Sequence, residues 1–206
     1  MLGYYNYTVV LTYLGMLSAF AGITYVMNGN IHTALICLMF AGLFDMFDGK
    51  VASTKKSRTD REKKFGIQID SLSDLISFGA LPAIMLYALC EGRTAGTCVA
   101  GLYLLCALIR LAFFNVDEEE RQSKTQEARK FYLGLPVTTS ALILPTFMQI
   151  GTRFALPLDV VATITLLAMS IAFVTPFQLK KPGNAGKAVM TVFGITLLCV
   201  MFMGGN

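Results

Sequence analysis

Four aspartates at two helical spacings are the residues of this chain best suited to chemistry. Asp45 and Asp48 stand three residues apart, and Asp70 and Asp74 stand four apart, so each pair shares one face of a helix. Both pairs adjoin long apolar segments, where an uncompensated carboxylate costs about 2.5–3.5 kcal/mol on insertion scales. Bound cations are the usual compensation, and hard divalent ions prefer oxygen ligands. The spacing therefore predicts a site in which all four aspartates bind two divalent ions.

Phosphoryl transfer is the reaction class that two oxygen-ligated ions favour. Such ions bridge phosphate oxygens and offset the charge that develops during an in-line displacement. A nearby carboxylate can accept the proton of an attacking hydroxyl as a general base. His32 is the single histidine of the chain, which argues against a His-based triad or a His-rich zinc site. A site of this kind inside a membrane protein suits a substrate with a lipid tail and a phosphate head.

The composition indicates an all-α integral membrane protein. Of 206 residues, 55% are hydrophobic and only 15% are charged, whereas soluble domains carry about 25% charged residues. Apolar runs of membrane-spanning length recur along the chain, and we predict seven helices in a single multi-pass domain, 1–206. The fifth run is short, and a half-spanning helix there would change the count by one. The predicted segments lie near 8–27, 31–52, 67–90, 95–116, 135–151, 156–177 and 187–204.

The basic residues predict the orientation in the membrane. Most lysines and arginines fall in loops 50–64, 117–134 and 177–187, whereas the alternate loops offer only Arg93 and Arg153. By the positive-inside rule, we expect the N-terminus and the acidic motif on the cytoplasmic side of the cell membrane. The basic charges of loop 50–64 fit either an anionic-lipid anchor or attraction of an anionic headgroup. We expect membrane lipids, and no nucleic acid, as their partners.

Written as a pattern, the acidic stretch is D-x2-D-G-x2-A-S-x12-G-x3-D-x3-D. It resembles the signature of the CDP-alcohol phosphatidyltransferases, D-x2-D-G-x2-A-R-x8-G-x3-D-x3-D. All four aspartates match, and so do Gly49, Ala52 and Gly66. The chain departs from the signature twice, because Ser53 stands where the family has arginine and the spacer before Gly66 holds twelve residues instead of eight.

The serine is the more serious departure, because the longer spacer lies in a polar loop where insertions are tolerated. The resemblance implies that the family arginine contacts the nucleotide-lipid phosphates. A serine supplies neither its charge nor its bidentate grip. Lys50, Lys55 and Lys56 are candidate substitutes. The alternative is an impaired variant or a catalytically silent scaffold.

Three further segments resemble the phosphatidylserine synthase branch of the family: the runs 70–79, 110–116 and 131–136. This resemblance implies a homodimer with a six-helix core, to which the seventh apolar segment would be an addition. It also implies transfer of the phosphatidyl group from CDP-diacylglycerol to the hydroxyl of L-serine, with release of CMP. Glycerol 3-phosphate or inositol phosphate remains an alternative acceptor. In another class, a divalent-cation transporter is the alternative, although clustering of the aspartates at one membrane face argues against it.

The resemblance also implies a role for each motif residue. Asp45, Asp48 and Asp70 would ligate Mg²⁺ or Mn²⁺, and Asp74 would ligate the second ion, act as general base on the serine hydroxyl, or do both. The residues expected to line the CDP end of the lipid nucleotide are Gly49, Ala52 and Gly66, with Ser53 at the weakened arginine position.

Arg110 is a further candidate, because a cation within the apolar run 95–116 is costly unless it is paired. Our hypothesis is that Arg110 meets the carboxylate or phosphate of the acceptor, or a lipid phosphate. The alternatives are an ion pair with a motif aspartate, or snorkelling to the cytoplasmic surface.

Overall fold

Helices account for most of the computed structural model, which describes residues 3–55, 57–124, 131–180 and 183–203. Parts of the three predicted basic loops, at 56, 125–130 and 181–182, lie outside the described residues. The described residues contain eight α-helices: α1 (Val10–Met27), α2 (Ile31–Thr54), α3 (Asp60–Asp74), α4 (Leu81–Leu89), α5 (Thr94–Lys124), α6 (Ser140–Arg153), α7 (Leu158–Val174) and α8 (Asn184–Met203). They also contain an antiparallel pair of short strands, β1 (Phe131–Leu133) and β2 (Gln178–Lys180).

Helices α3 and α4 form one continuous rod, because the π-helical segment Leu75–Ala80 joins them. The eight helices therefore make seven rods in the described ranges, which agrees with the predicted count. The rod begins at Asp60, seven residues before the predicted apolar segment. Thr59 and Glu62 explain this early start, since they form a reciprocal capping box that stabilises a polar first turn.

The rods have the length and composition of an integral membrane protein. Four of them are long and apolar enough to cross a bilayer, namely Tyr7–Met27, Ile31–Thr54, Asp60–Leu89 and Thr94–Glu120. Two shorter helical stretches, Leu158–Val174 and Ala188–Met203, are also apolar. The prediction of an all-α membrane fold is therefore confirmed.

Small residues bring α2 close to its neighbours. A Cβ atom on Gly22 of α1 would lie 3.1 Å from the Cβ of Cys37 on α2. On the opposite side, a Cβ on Gly42 of α2 would lie 2.5 Å from the Cβ of Ala141 on α6. Close backbone approach through glycine and alanine is the usual packing mode of membrane helices. It fixes α2, which carries the first aspartate pair, between α1 and α6.

Backbone hydrogen bonds join the segment that follows α5 to the C-terminal end of α7. The strands β1 and β2 pair there, and Gly134 donates its backbone N–H to Phe177 O at 2.7 Å. Gly134 has a φ of +73°, and a Cβ would lie 3.1 Å from the Phe173 and Thr175 carbonyl oxygens, so the turn requires glycine. Leu135 N–H then bonds Ala172 O at 3.1 Å, which sets the position of the segment that follows.

Candidate active site

Three of the predicted aspartates converge between α2 and α3. One carboxylate oxygen from each of Asp45, Asp70 and Asp74 lies within 4.8 Å of the other two. Oδ1 of Asp70 is buried and has no hydrogen-bond partner among the described residues. An unsatisfied buried acceptor costs about 1–3 kcal/mol, and a bound cation would remove that cost. This set of oxygen donors fits Mg²⁺ or Mn²⁺.

Asp48 has different surroundings from the other three carboxylates. It is 8% exposed, and its Oδ2 accepts a hydrogen bond from Thr12 Oγ1 of α1 at 2.9 Å. Its carboxyl also adjoins that of Asp70. All four aspartates line a narrow cavity of about 10 Å³, which is close to the volume of one water-sized sphere. The structure thus brings Asp45, Asp70 and Asp74 into one group and places Asp48 beside it.

Two serines of α3 hold the second aspartate pair in place. Ser73 Oγ donates to the backbone carbonyl of Thr12 on α1 at 3.2 Å. Ser71 Oγ donates to Asn115 Oδ1 on α5 at 2.9 Å. Sequence reasoning missed Thr12 and Asn115 as supporting residues. The sequence shows only that each is a polar residue in or beside an apolar helix, and this does not indicate which residue its side chain contacts.

A second, larger cavity of about 660 Å³ opens beside the carboxylates. Asp45, Asp70 and Asp74 line it together with Arg110, and its other walls are mostly apolar side chains of α2, α5, α6 and α8. A polar end with apolar walls suits an amphiphilic ligand whose charged part meets the carboxylates.

Arg110 lies inside this cavity region and does not snorkel to a surface, so that alternative is wrong. The residue is 5% exposed, and its Nε donates to the Leu135 carbonyl oxygen at 3.1 Å. Its guanidinium lies 5.7 Å from the centre of the Phe114 ring. The turn at Gly134 therefore positions Arg110 by presenting the neighbouring carbonyl.

The four residues predicted at the nucleotide end lie outside both cavities. Gly49 is exposed, and a Cβ there would meet no atom within 4 Å in the described structure. Ala52 is half-buried, whereas Ser53 is exposed and its Oγ donates to Lys50 O of its own helix at 2.7 Å. Gly66 is covered by a side chain that sequence reasoning missed, because Arg58 Nη2 lies 2.6 Å from where its Cβ would be.

Of the three lysines proposed to replace the family arginine, two contact other side chains and one is not among the described residues. Lys55 Nζ forms an ion pair with Glu62 Oε1 at 2.8 Å. Lys50 Nζ lies 5.5 Å from the centre of the Phe47 ring. Lys56 lies outside the described residues.

Comparison with known proteins identifies the family of this chain. The profile of the CDP-alcohol phosphatidyltransferases matches residues 5–177, which span α1 to α7. The chain belongs to the CDP-alcohol phosphatidyltransferase family. The match contains six of the seven rods, and α8 lies beyond it, as expected for a six-helix core with one additional helix.

Several curated proteins are similar to this CDP-alcohol phosphatidyltransferase over most of its length. The archaetidylserine synthase of Methanothermobacter thermautotrophicus is 32% identical over 86% of this chain and 70% of its own. The CDP-diacylglycerol–serine O-phosphatidyltransferase of Methanocaldococcus jannaschii is 29% identical over 87% of this chain and 82% of its own. The Mycobacterium tuberculosis protein of the same name is 27% identical over 90% of this chain, which spans 66% of that relative.

Proposed function

We propose that this chain transfers the phosphatidyl group of CDP-diacylglycerol to the hydroxyl of L-serine, giving phosphatidylserine and CMP. The observation that carries the proposal is the convergence of Asp45, Asp70 and Asp74 at one end of a largely apolar 660 Å³ cavity, in a chain of this family. The names of the similar proteins support serine as the acceptor.

We assign two divalent ions, Mg²⁺ or Mn²⁺, to the four aspartates. Asp45, Asp70 and Asp74 would hold one, and Asp48 with Asp70 would contribute to the other. Oδ1 of Asp70, which has no hydrogen-bond partner among the described residues, supports this assignment. When bound, the ions supply positive charge that offsets the charge on the phosphoryl oxygens.

In the proposed reaction, the serine hydroxyl attacks the phosphorus next to diacylglycerol. The new oxygen–phosphorus bond forms as the bond to the CMP phosphate breaks, and CMP leaves with that electron pair. Asp74 accepts the hydroxyl proton in this scheme, as the family resemblance implies, and its carboxylate lines the large cavity together with those of Asp45 and Asp70. The apolar walls would hold the acyl chains and limit access of water to the reacting phosphorus.

Arg110 would bind the carboxylate of the serine acceptor from across the cavity, since a buried guanidinium is suited to bidentate pairing with an anion. Gly49 and Ala52 would allow close approach of the cytidine diphosphate moiety, whereas Gly66 lies beneath the Arg58 side chain. Ser53 at the arginine position would add little to that binding, because its hydroxyl bonds its own helix.

We further propose a homodimer made of single multi-pass domains, 1–206, in the cell membrane. The N-terminus and the active site would face the cytoplasm. The concentration of lysine and arginine in alternate loops supports this orientation.

Release of CMP by the purified protein, reconstituted with CDP-diacylglycerol and Mn²⁺, tests the acceptor. We expect release with L-serine and background release with glycerol 3-phosphate, inositol phosphate or no acceptor. Asp74→Asn in the same vesicles serves as the inactive control. Release with inositol phosphate and none with serine would overturn the serine assignment.

A further inference from the structure

We propose that Arg58 supplies the phosphate contact that Ser53 lacks, as the cationic ligand of the pyrophosphate of CDP-diacylglycerol. This inference rests on the proposed function and deepens it. It assigns a substrate-binding role to a residue that the family signature does not contain.

The first support is the position of the guanidinium over the motif glycine. Arg58 Nη2 lies 2.6 Å from where a Cβ on Gly66 would be, so a larger residue at position 66 would displace the guanidinium from this place. Gly66 precedes Asp70 by four residues on α3, which places both on one helix face about 6 Å apart along the axis. The cation of Arg58 therefore lies one helical turn from a carboxylate of the proposed metal site.

The second support is the unfilled hydrogen-bonding capacity of this side chain. Arg58 Nε is buried and has no partner within the described part of the chain. Nη2 reaches Glu62 O only at 3.4 Å. The ion pairs of the described residues do not include Arg58. A phosphate that approached the guanidinium would neutralise its charge and could supply the acceptor that Nε lacks.

The third support is the rigid hold on the loop that carries Arg58. Glu62 accepts hydrogen bonds from Lys55 Nζ at 2.8 Å, from Thr59 N–H at 2.8 Å and from Asn6 Nδ2 at 3.1 Å. The same carboxylate neutralises Lys55. Glu62 therefore pairs with Lys55 and not with Arg58, while its hydrogen bonds hold the loop that carries Arg58.

This proposal connects the two departures from the family signature, namely Ser53 and the longer spacer before Gly66. Helix α2 ends at Thr54 and α3 begins at Asp60, so the first residues of the longer spacer form the connection between them. Position 53 holds serine where the family signature has arginine, and Arg58 follows five residues later on a connection that places its guanidinium beside Gly66. Under this proposal, Arg58 on the longer spacer compensates for the serine at position 53.

Kinetics of an Arg58→Gln variant test the role. We expect the KM for CDP-diacylglycerol to rise about ten- to hundredfold, the loss typical of a charge-assisted contact, and the KM for serine to stay within about twofold. Arg61→Gln is the matched control, because Arg61 lies in the same segment and is exposed. We expect it to leave both constants within about twofold of wild type.

A rescue separates binding from folding. Adding Ser53→Arg to Arg58→Gln returns an arginine to the family position, and we expect it to recover at least half of the lost affinity on a logarithmic scale. Binding of Mn²⁺ alone, followed by electron paramagnetic resonance, should be unchanged in Arg58→Gln, which shows that the metal site is intact.

Equal effects of Arg58→Gln and Arg61→Gln on the KM for CDP-diacylglycerol would overturn the assignment. If the wild-type protein releases no CMP with any acceptor, the proposed function fails, and equilibrium binding of radiolabelled CDP-diacylglycerol still decides the role of Arg58. Weaker binding by Arg58→Gln than by Arg61→Gln supports it, and equal binding overturns it.

Discussion

The four motif aspartates occupy two environments, and this difference bears on their roles. Asp45, Asp70 and Asp74 line the large cavity, where a substrate can reach them. Asp48 lies in the narrow cavity and is held by Thr12. An oriented carboxylate binds a metal ion better than a mobile one, because the conformational cost has already been met. Thr12 should therefore affect the metal without touching it.

Thr12→Val should weaken Mn²⁺ binding by about ten- to hundredfold, since it removes the hydroxyl that orients Asp48 while keeping the side-chain volume. Thr24→Val is the matched control in α1, because Thr24 Oγ1 bonds only Ala21 O of its own helix among the described contacts. Titration with Mn²⁺, followed by electron paramagnetic resonance, gives both affinities. Equal affinities in the two variants would contradict this account of Thr12.

At the scale of the elements, the close packing of α2 positions the site. The contact between Gly42 and Ala141 has no room for another methyl group, whereas Gly101 on α5 faces open space within the described structure. A shift of α2 away from α6 would change the distance between the two aspartate pairs and would widen the large cavity, which Gly42 and Ala141 both line.

Gly42→Ala should destabilise the protein by about 1–3 kcal/mol, because overpacking forces the helices apart. Gly101→Ala should be neutral or stabilising by up to about 1 kcal/mol, since alanine is the better helix former where space is free. Thermal unfolding in detergent, with Mn²⁺ present, measures both. A lower unfolding temperature for Gly101→Ala than for Gly42→Ala would contradict the packing argument.

For the whole molecule, the distribution of charge predicts which ends of the rods face the cytoplasm. Ser57 lies in the connection between α2 and α3, and Glu91 lies in the turn between α4 and α5, at the other end of the same rod. Both residues are exposed. In a background without native cysteines, Ser57→Cys should react with a membrane-impermeant maleimide only after the cells are opened. Glu91→Cys should react in intact cells, and the reverse pattern would invert the proposed orientation.

Much of this architecture could be predicted from the sequence, because apolar length and helical spacing are local properties. The seven rods and the grouping of Asp45 with Asp70 and Asp74 belong to this part. The cavity could not be predicted, since its walls come from helices far apart in the chain. Arg58 was missed for a similar reason. Contacts such as the one with Glu62 position this loop residue, and a loop has no helical periodicity from which those contacts could be predicted.

The π-helical segment that begins directly after Asp74 determines how the two halves of its rod are rotated relative to each other. A wide turn acts like one residue inserted into an α-helix, and it rotates everything that follows by roughly 100° about the axis. The faces of the acidic half and of the apolar half of the rod are therefore offset by this extra rotation. The π-helical segment therefore sets which face of α4 meets its neighbours when the aspartates face the site.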